Sequence, residues 1–222
     1  MRKTIISLLV LGLSLVFVAC GDNSINKSEK LDQKELSIQG QVCPAGKYDD
    51  SMLRCSVKTE PVKLLVPVPE GWSAYLFGWD QREDVNGASQ TGAASMVQDK
   101  ATNGCHVVIK GQITGSSRRP MTLERVNAHN AKRPKDSKIG MWHLGDKPLA
   151  DGTSWIWADT GAGLAIFATT PRSDGTVLEW GLNNSAILFK DGEPQGDYCS
   201  TNTSPTAILP TLTSLLAKTK IS

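Results

Sequence analysis

Five cysteines carry the most versatile chemistry in this 222-residue chain. A thiol can close a disulfide, ligate a metal, attack a carbonyl or carry an acyl group, and its surroundings decide which. Cys43, Cys55, Cys105 and Cys199 lack the paired C-x2-C spacing of a zinc ribbon, and the three histidines are scattered. His106 follows Cys105, but neighbouring strand residues point to opposite faces, which separates thiol from imidazole. The chain contains no G-x-S-x-G elbow, no H-E-x-x-H and no P-loop. Gly192-Glu193 and Asp197 read as polar loop residues. With 22 acidic residues, a carboxylate pair assembled by folding would have little specificity. The sequence therefore names no catalytic residue, metal or cofactor.

Aromatic chemistry offers a second option. Of six tryptophans, Trp155 and Trp157 lie two apart and share one face of any strand that holds them. An exposed pair could stack on a sugar ring, which would make the protein a glycan or peptidoglycan binder. The same pair could instead fill the core with each indole N–H satisfied.

Cys20 belongs to a different setting. Arg2 and Lys3 precede an apolar run from Ile5 to Val18, broken by Ser7, Gly12 and Ser14, and Ala19 supplies a small residue before the cysteine. The run is short for a membrane span, which needs about 20 apolar residues. Phe17-Val18-Ala19-Cys20 resembles the lipobox of bacterial lipoproteins, with Phe17 where leucine is usual. The resemblance implies cleavage before Cys20 and a diacylglycerol on its thiol. In Gram-negative lipoproteins aspartate directly after the cysteine favours inner-membrane retention. Gly21 stands there, with Asp22 one later, so the resemblance implies the outer membrane in a Gram-negative host. Residues 1–19 are then a signal peptide. Residues 20–35, polar apart from Ile25 and Leu31, read as a lipidated cysteine and flexible tether. The remainder, 36–222, fits one domain.

Processing also changes the charge. Loss of Arg2 and Lys3 leaves 22 basic residues against 22 acidic ones, so the formal +2 gives no reason to expect nucleic acid. In an exported chain the four remaining cysteines suggest two disulfides. Three connectivities stay open. The preferred one joins Cys43 to Cys55 across the turn-rich Pro44-Ala45-Gly46-Lys47-Tyr48-Asp49-Asp50, and Cys105 to Cys199 across a long loop.

Charge within the domain is uneven. Residues 118–138 hold Arg118, Arg119, Arg125, Lys132, Arg133, Lys135 and Lys138 against Glu124 and Asp136, a net +5. Residues 141–200 carry a net −5. Arg118, Arg119, Lys132 and Arg133 are candidates for meeting anionic headgroups, an acidic glycan or an acidic protein. The alternative is a solvated loop that aids solubility.

The elements that must position these residues are mainly β. Val62–Val68, Ser73–Trp79 and Cys105–Ile113 read as strands, and a turn at Thr114–Ser117 leads toward Met121–Asn127. From Ser154 to Phe189, short runs separated by Asp159-Thr160-Gly161, Ser173-Asp174-Gly175 and Asn183-Asn184 describe an antiparallel meander. Ile208, Leu212, Leu215 and Leu216 fall on one helical face, with Pro210 suited to the first turn. A second helix over Ala88–Ala101 is weakened by Gly92. The expected fold is mainly β / α+β, an antiparallel β-rich domain with a C-terminal amphipathic helix.

Val68-Pro69-Glu70-Gly71-Trp72 resembles the strand-then-P-x-G-W opening of PsbP-like domains, an α+β fold in which several bacterial lipoproteins also end in a helix. The resemblance covers these five residues and the helix, and it assigns no functional residue. The expected function is a non-catalytic, lipid-anchored envelope protein that binds a protein partner as an accessory or inhibitor of immunity type. A glycan binder and a hydrolase of unrecognised type are the alternatives.

Overall fold

A computed structural model describes residues 29–49, 54–76, 93–134, 136–191, 193–199 and 204–222. Cys20, the signal segment, Phe77–Trp79, residues 88–92 and Lys135 lie outside the described residues. The chain is β-rich and antiparallel, with a short C-terminal helix.

The principal sheet runs in the order β1 (Glu29–Leu31), β6 (Trp72–Leu76), β7 (Ala93–Gln98), β8 (Cys105–Ser117), β12 (Val177–Lys190), β11 (Leu164–Pro171), β10 (Ser154–Asp159), β9 (Trp142–Leu144). A further strand, β13 (Glu193–Tyr198), pairs with the end of β12. The expected meander is present as β10, β11 and β12. A smaller sheet of β2 (Glu35–Val42), β5 (Glu60–Pro67) and β14 (Lys220–Ile221) lies over one face of the large one. The short pair β3 (Tyr48–Asp49) and β4 (Arg54–Cys55) forms the hairpin after Cys43.

Both sheets have one apolar side, and burial of those sides makes the core. Leu36, Ile38 and Val42 of β2 alternate inward with Val62, Leu64 and Val66 of β5. They meet Met96, Ile109, Ile113, Ile166, Leu182 and Trp180 of the large sheet. Approach is close enough that a Cβ on Gly111 would collide with the buried Ile38 side chain. The C-terminal helix α2 (Leu209–Lys218) follows a 3-10 turn and closes the core with Leu212, Leu215 and Leu216. Pro210 sits in its first turn, where the missing N–H costs no ladder bond. Arg172, in the β11–β12 turn, pairs with Glu60 at the start of β5 and ties the two sheets together. In that turn Asp174 accepts hydrogen bonds from the Thr176 hydroxyl and then its N–H, which hold its carboxyl below the usual carboxylate range.

Cys43 is joined to Cys55 and Cys105 to Cys199, the preferred connectivity. The first closes the β3–β4 hairpin. The second ties the start of β8 to the residue after β13.

Four local expectations are corrected. Residues 93–98 form a central strand, not a helix, because Ala94, Ser95, Met96 and Val97 are buried between β6 and β8. Met121–Asn127 does not extend a strand. β8 continues through a bulge to Ser117, and Thr122 then caps helix α1 (Leu123–Asn130) by accepting the Arg125 N–H at 3.2 Å. Asn183-Asn184 makes no turn and lies within the 14-residue β12. There Asn184 Oδ1 accepts the Leu164 N–H at 2.7 Å and fixes the start of β11. Finally, Glu29–Leu31 pairs with β6, so sheet structure begins within the stretch expected as tether.

Candidate functional site

The large sheet has a second face, turned away from the small sheet. Helix α1 covers one corner of it. Val126 and the preceding Met121 pack on Ile156 of β10, with Trp142 of β9 beside them. Asn130, at the helix end, completes the docking. Its Nδ2 donates to the Trp142 carbonyl, and its Oδ1 accepts the Trp142 N–H, both at 2.8 Å. A side-chain amide thus takes the place of a strand at the edge residue Trp142, which blunts that edge against pairing with another chain. Asn130→Ala removes both bonds at once and should cost about 1–2 kcal/mol. Faster hydrogen exchange at the Trp142 amide, with distant strands unchanged, is the expected signature.

Trp142 organises what surrounds it. His129 stacks on its ring at 3.8 Å and 6°, and the Arg125 guanidinium lies 5.9 Å from the ring centroid. The Phe167 ring sits 6.4 Å away on β11. Arg125 reaches Glu179 at 3.6 Å and donates to the Arg119 carbonyl at 2.6 Å. Glu179 also accepts from the Ser117 hydroxyl at 2.8 Å. His129 Nε2 lies 3.0 Å from the Gly140 carbonyl and 3.3 Å from Arg133 Nε, and its tautomer decides which bond it makes. Between Trp142, Phe167, Arg125 and Glu179 lies a cleft of about 100 Å³. That volume suits one side chain; small-molecule sites take roughly 300–1,000 Å³.

Four of the most exposed large apolar side chains belong to this region. Leu123 is 59% exposed, Ile139 55%, Leu144 37% and Phe167 36%. The basic stretch 118–138 supplies their setting. Arg118, Arg119, Lys132, Arg133 and Lys138 are exposed, and none is in an ion pair among the described residues; Arg125 alone is committed to an acid. Protruding apolar groups flanked by unpaired cations form a surface suited to an anionic partner with an apolar anchor. Within the cleft Arg125 and Glu179 face each other, and Thr169 accepts the Met121 N–H at 3.0 Å. Among the described residues, no three His, Cys, Asp or Glu side chains converge on a point that would hold a metal.

The tryptophan pair sits elsewhere. Trp155 and Trp157 occupy the inner face of β10, half-buried and packed on the core. His143 stacks on Trp157 at 4.0 Å, and the Gly145 backbone lies against the Trp155 indole. This geometry weighs against an open sugar platform. Trp155 Nε1 is buried without a hydrogen-bond partner, contrary to the expectation that each indole N–H is satisfied.

Arg118 and Arg119 before α1, and Lys132 and Arg133 after it, are exposed, whereas Trp155 and Trp157 contribute to packing. Trp142, Phe167, Leu123, Ile139 and Leu144 were not singled out by the sequence. Strand parity sets Phe167 opposite the buried Ile166 and Ala168, a recognisable signal. The exposure of Leu123 depends on a helix that the sequence did not show. No helix among the described residues is long and apolar enough to cross a membrane. No protein family, curated protein or solved structure matches the chain.

Proposed function

We propose that this is a non-catalytic binding protein of the cell envelope, held by a lipid on Cys20 at the outer membrane. The observation that carries the binding role is the α1–β9 face, where exposed Leu123, Ile139, Leu144 and Phe167 meet unpaired cations. Two disulfides accord with an oxidising compartment. The lipobox-like Phe17-Val18-Ala19-Cys20 supports the anchor. Together these describe a rigid domain on a short leash that presents one interaction surface to a protein partner.

The anchor and the binding role have separate tests. Cys20→Ser should abolish labelling by a palmitate analogue and move the protein to the soluble fraction; persistent labelling would defeat the anchor. For binding, a photo-crosslinking amino acid is placed in living cells at Leu123, Leu144, Lys63 and Lys110. One dominant protein adduct at one or more positions is expected. Absence of adducts at all four sites would reject the binding role.

A further inference from the structure

Resting on that reading, we propose that the partner is an acidic protein segment, docked on the α1–β9 face with one apolar side chain in the Trp142–Phe167 cleft and approached from the side away from the anchor.

Charge complementarity specifies the chemistry. Arg118 and Arg119 lie before α1, and Lys132, Arg133 and Lys138 follow it, so exposed cations bracket the helix that carries Leu123. Aspartates or glutamates on either side of a leucine or aromatic residue would meet them while the apolar group enters the cleft. Arg125 is already satisfied by Glu179, so the carboxylate within the cleft does not repel the guest as a bare charge would.

A cleft sized for one side chain favours a protein over the bilayer that holds Cys20. The chain enters the sheet at β1, and the face spans β12 to β9 toward the opposite end. Four to seven inter-strand steps separate them, about 19–34 Å along the sheet. Nine residues from Cys20 to Glu29 reach no more than about 32 Å when fully extended. With the sheet upright on the membrane, the β9 edge faces away from the anchoring leaflet.

The test uses the full lipidated protein in neutral nanodiscs. The first probe is a fluorescent peptide with one leucine amid aspartates and glutamates; the second has lysines in place of the acids. Vesicles of phosphatidylglycerol form the third. The acidic peptide should bind alone, and its affinity should fall about tenfold or more in 0.5 M salt. Arg119→Glu with Lys132→Glu should produce a similar loss and remove the in-cell adducts at Leu123 and Leu144. Arg119→Gln with Lys132→Gln gives a milder version if the reversal disturbs folding. Binding of the vesicles but not the acidic peptide overturns the proposal in favour of a membrane surface. Adducts between two copies overturn it in favour of self-association. Adducts that survive charge reversal, or arise only at Lys63 or Lys110, also overturn it while leaving a binding protein in place. Absence of every adduct in the protein with its native charges removes the underlying reading as well.

Discussion

Cys105→Ala with Cys199→Ala should lower the free energy of unfolding by about 4–5 kcal/mol, the larger of the two disulfide effects. The bond joins residues 94 apart, whereas Cys43 and Cys55 are 12 apart. Closing a longer loop removes more freedom from the unfolded chain, and the shorter link is worth about 3 kcal/mol or less on the same basis. Location supports this order. The short link closes a two-stranded hairpin, so its loss leaves the principal sheet intact. Cys105, by contrast, is buried opposite Leu188 at the end of the β8–β12 ladder, and the Cys199 N–H donates to the Ala186 carbonyl at 3.0 Å. Removing both cysteines avoids leaving a free thiol. Urea unfolding should show a lower midpoint and a slightly steeper slope, since the uncrosslinked chain exposes more surface. Equal destabilisation by the two double variants would contradict the loop-length argument.

The strands that could be read in the sequence bury one side in alternation, as β5 does, or are joined by marked turns, as β10 and β11 are; β2, with the same alternation, was not read. Those that misled had competing local chemistry. Ala93–Gln98 has little strand propensity, and its place between β6 and β8 overrides it. Asn183-Asn184 looks like a turn, but its backbone is held by β8 and the Asn184 amide serves β11. The basic residues were legible because charge clustering survives folding. Their apolar complement was not, because Phe167, Leu144 and Leu123 come from a strand, an edge and a helix brought together only by tertiary structure. The tryptophan pair shows the reverse limit. Parity placed Trp155 and Trp157 on one face correctly, but it cannot say whether that face meets water or core.

The other large effect is expected at Trp180. Its side chain is 2% exposed, lies across from Ile113 and Ala168 in the inner layer, and belongs to the main core. Trp180→Ala should therefore cost about 3–5 kcal/mol, through lost apolar burial and an incompletely filled cavity. Trp180→Phe separates packing from polarity. The indole N–H donates to Thr170 Oγ1 at 2.9 Å, and that hydroxyl also bonds Thr153 Oγ1 at 2.7 Å. With phenylalanine the threonine keeps a partner, so no buried group is orphaned and the cost should fall to about 1–3 kcal/mol. The consequences extend to the candidate surface. Trp180 and Ala168 line the cleft beside Phe167 and Trp142. A cavity here should speed hydrogen exchange in β11 and β12 first, with the β2–β5 pair slower to respond. If Trp180→Phe proved as damaging as Trp180→Ala, the hydrogen bond rather than the packed ring would be the main support at this point.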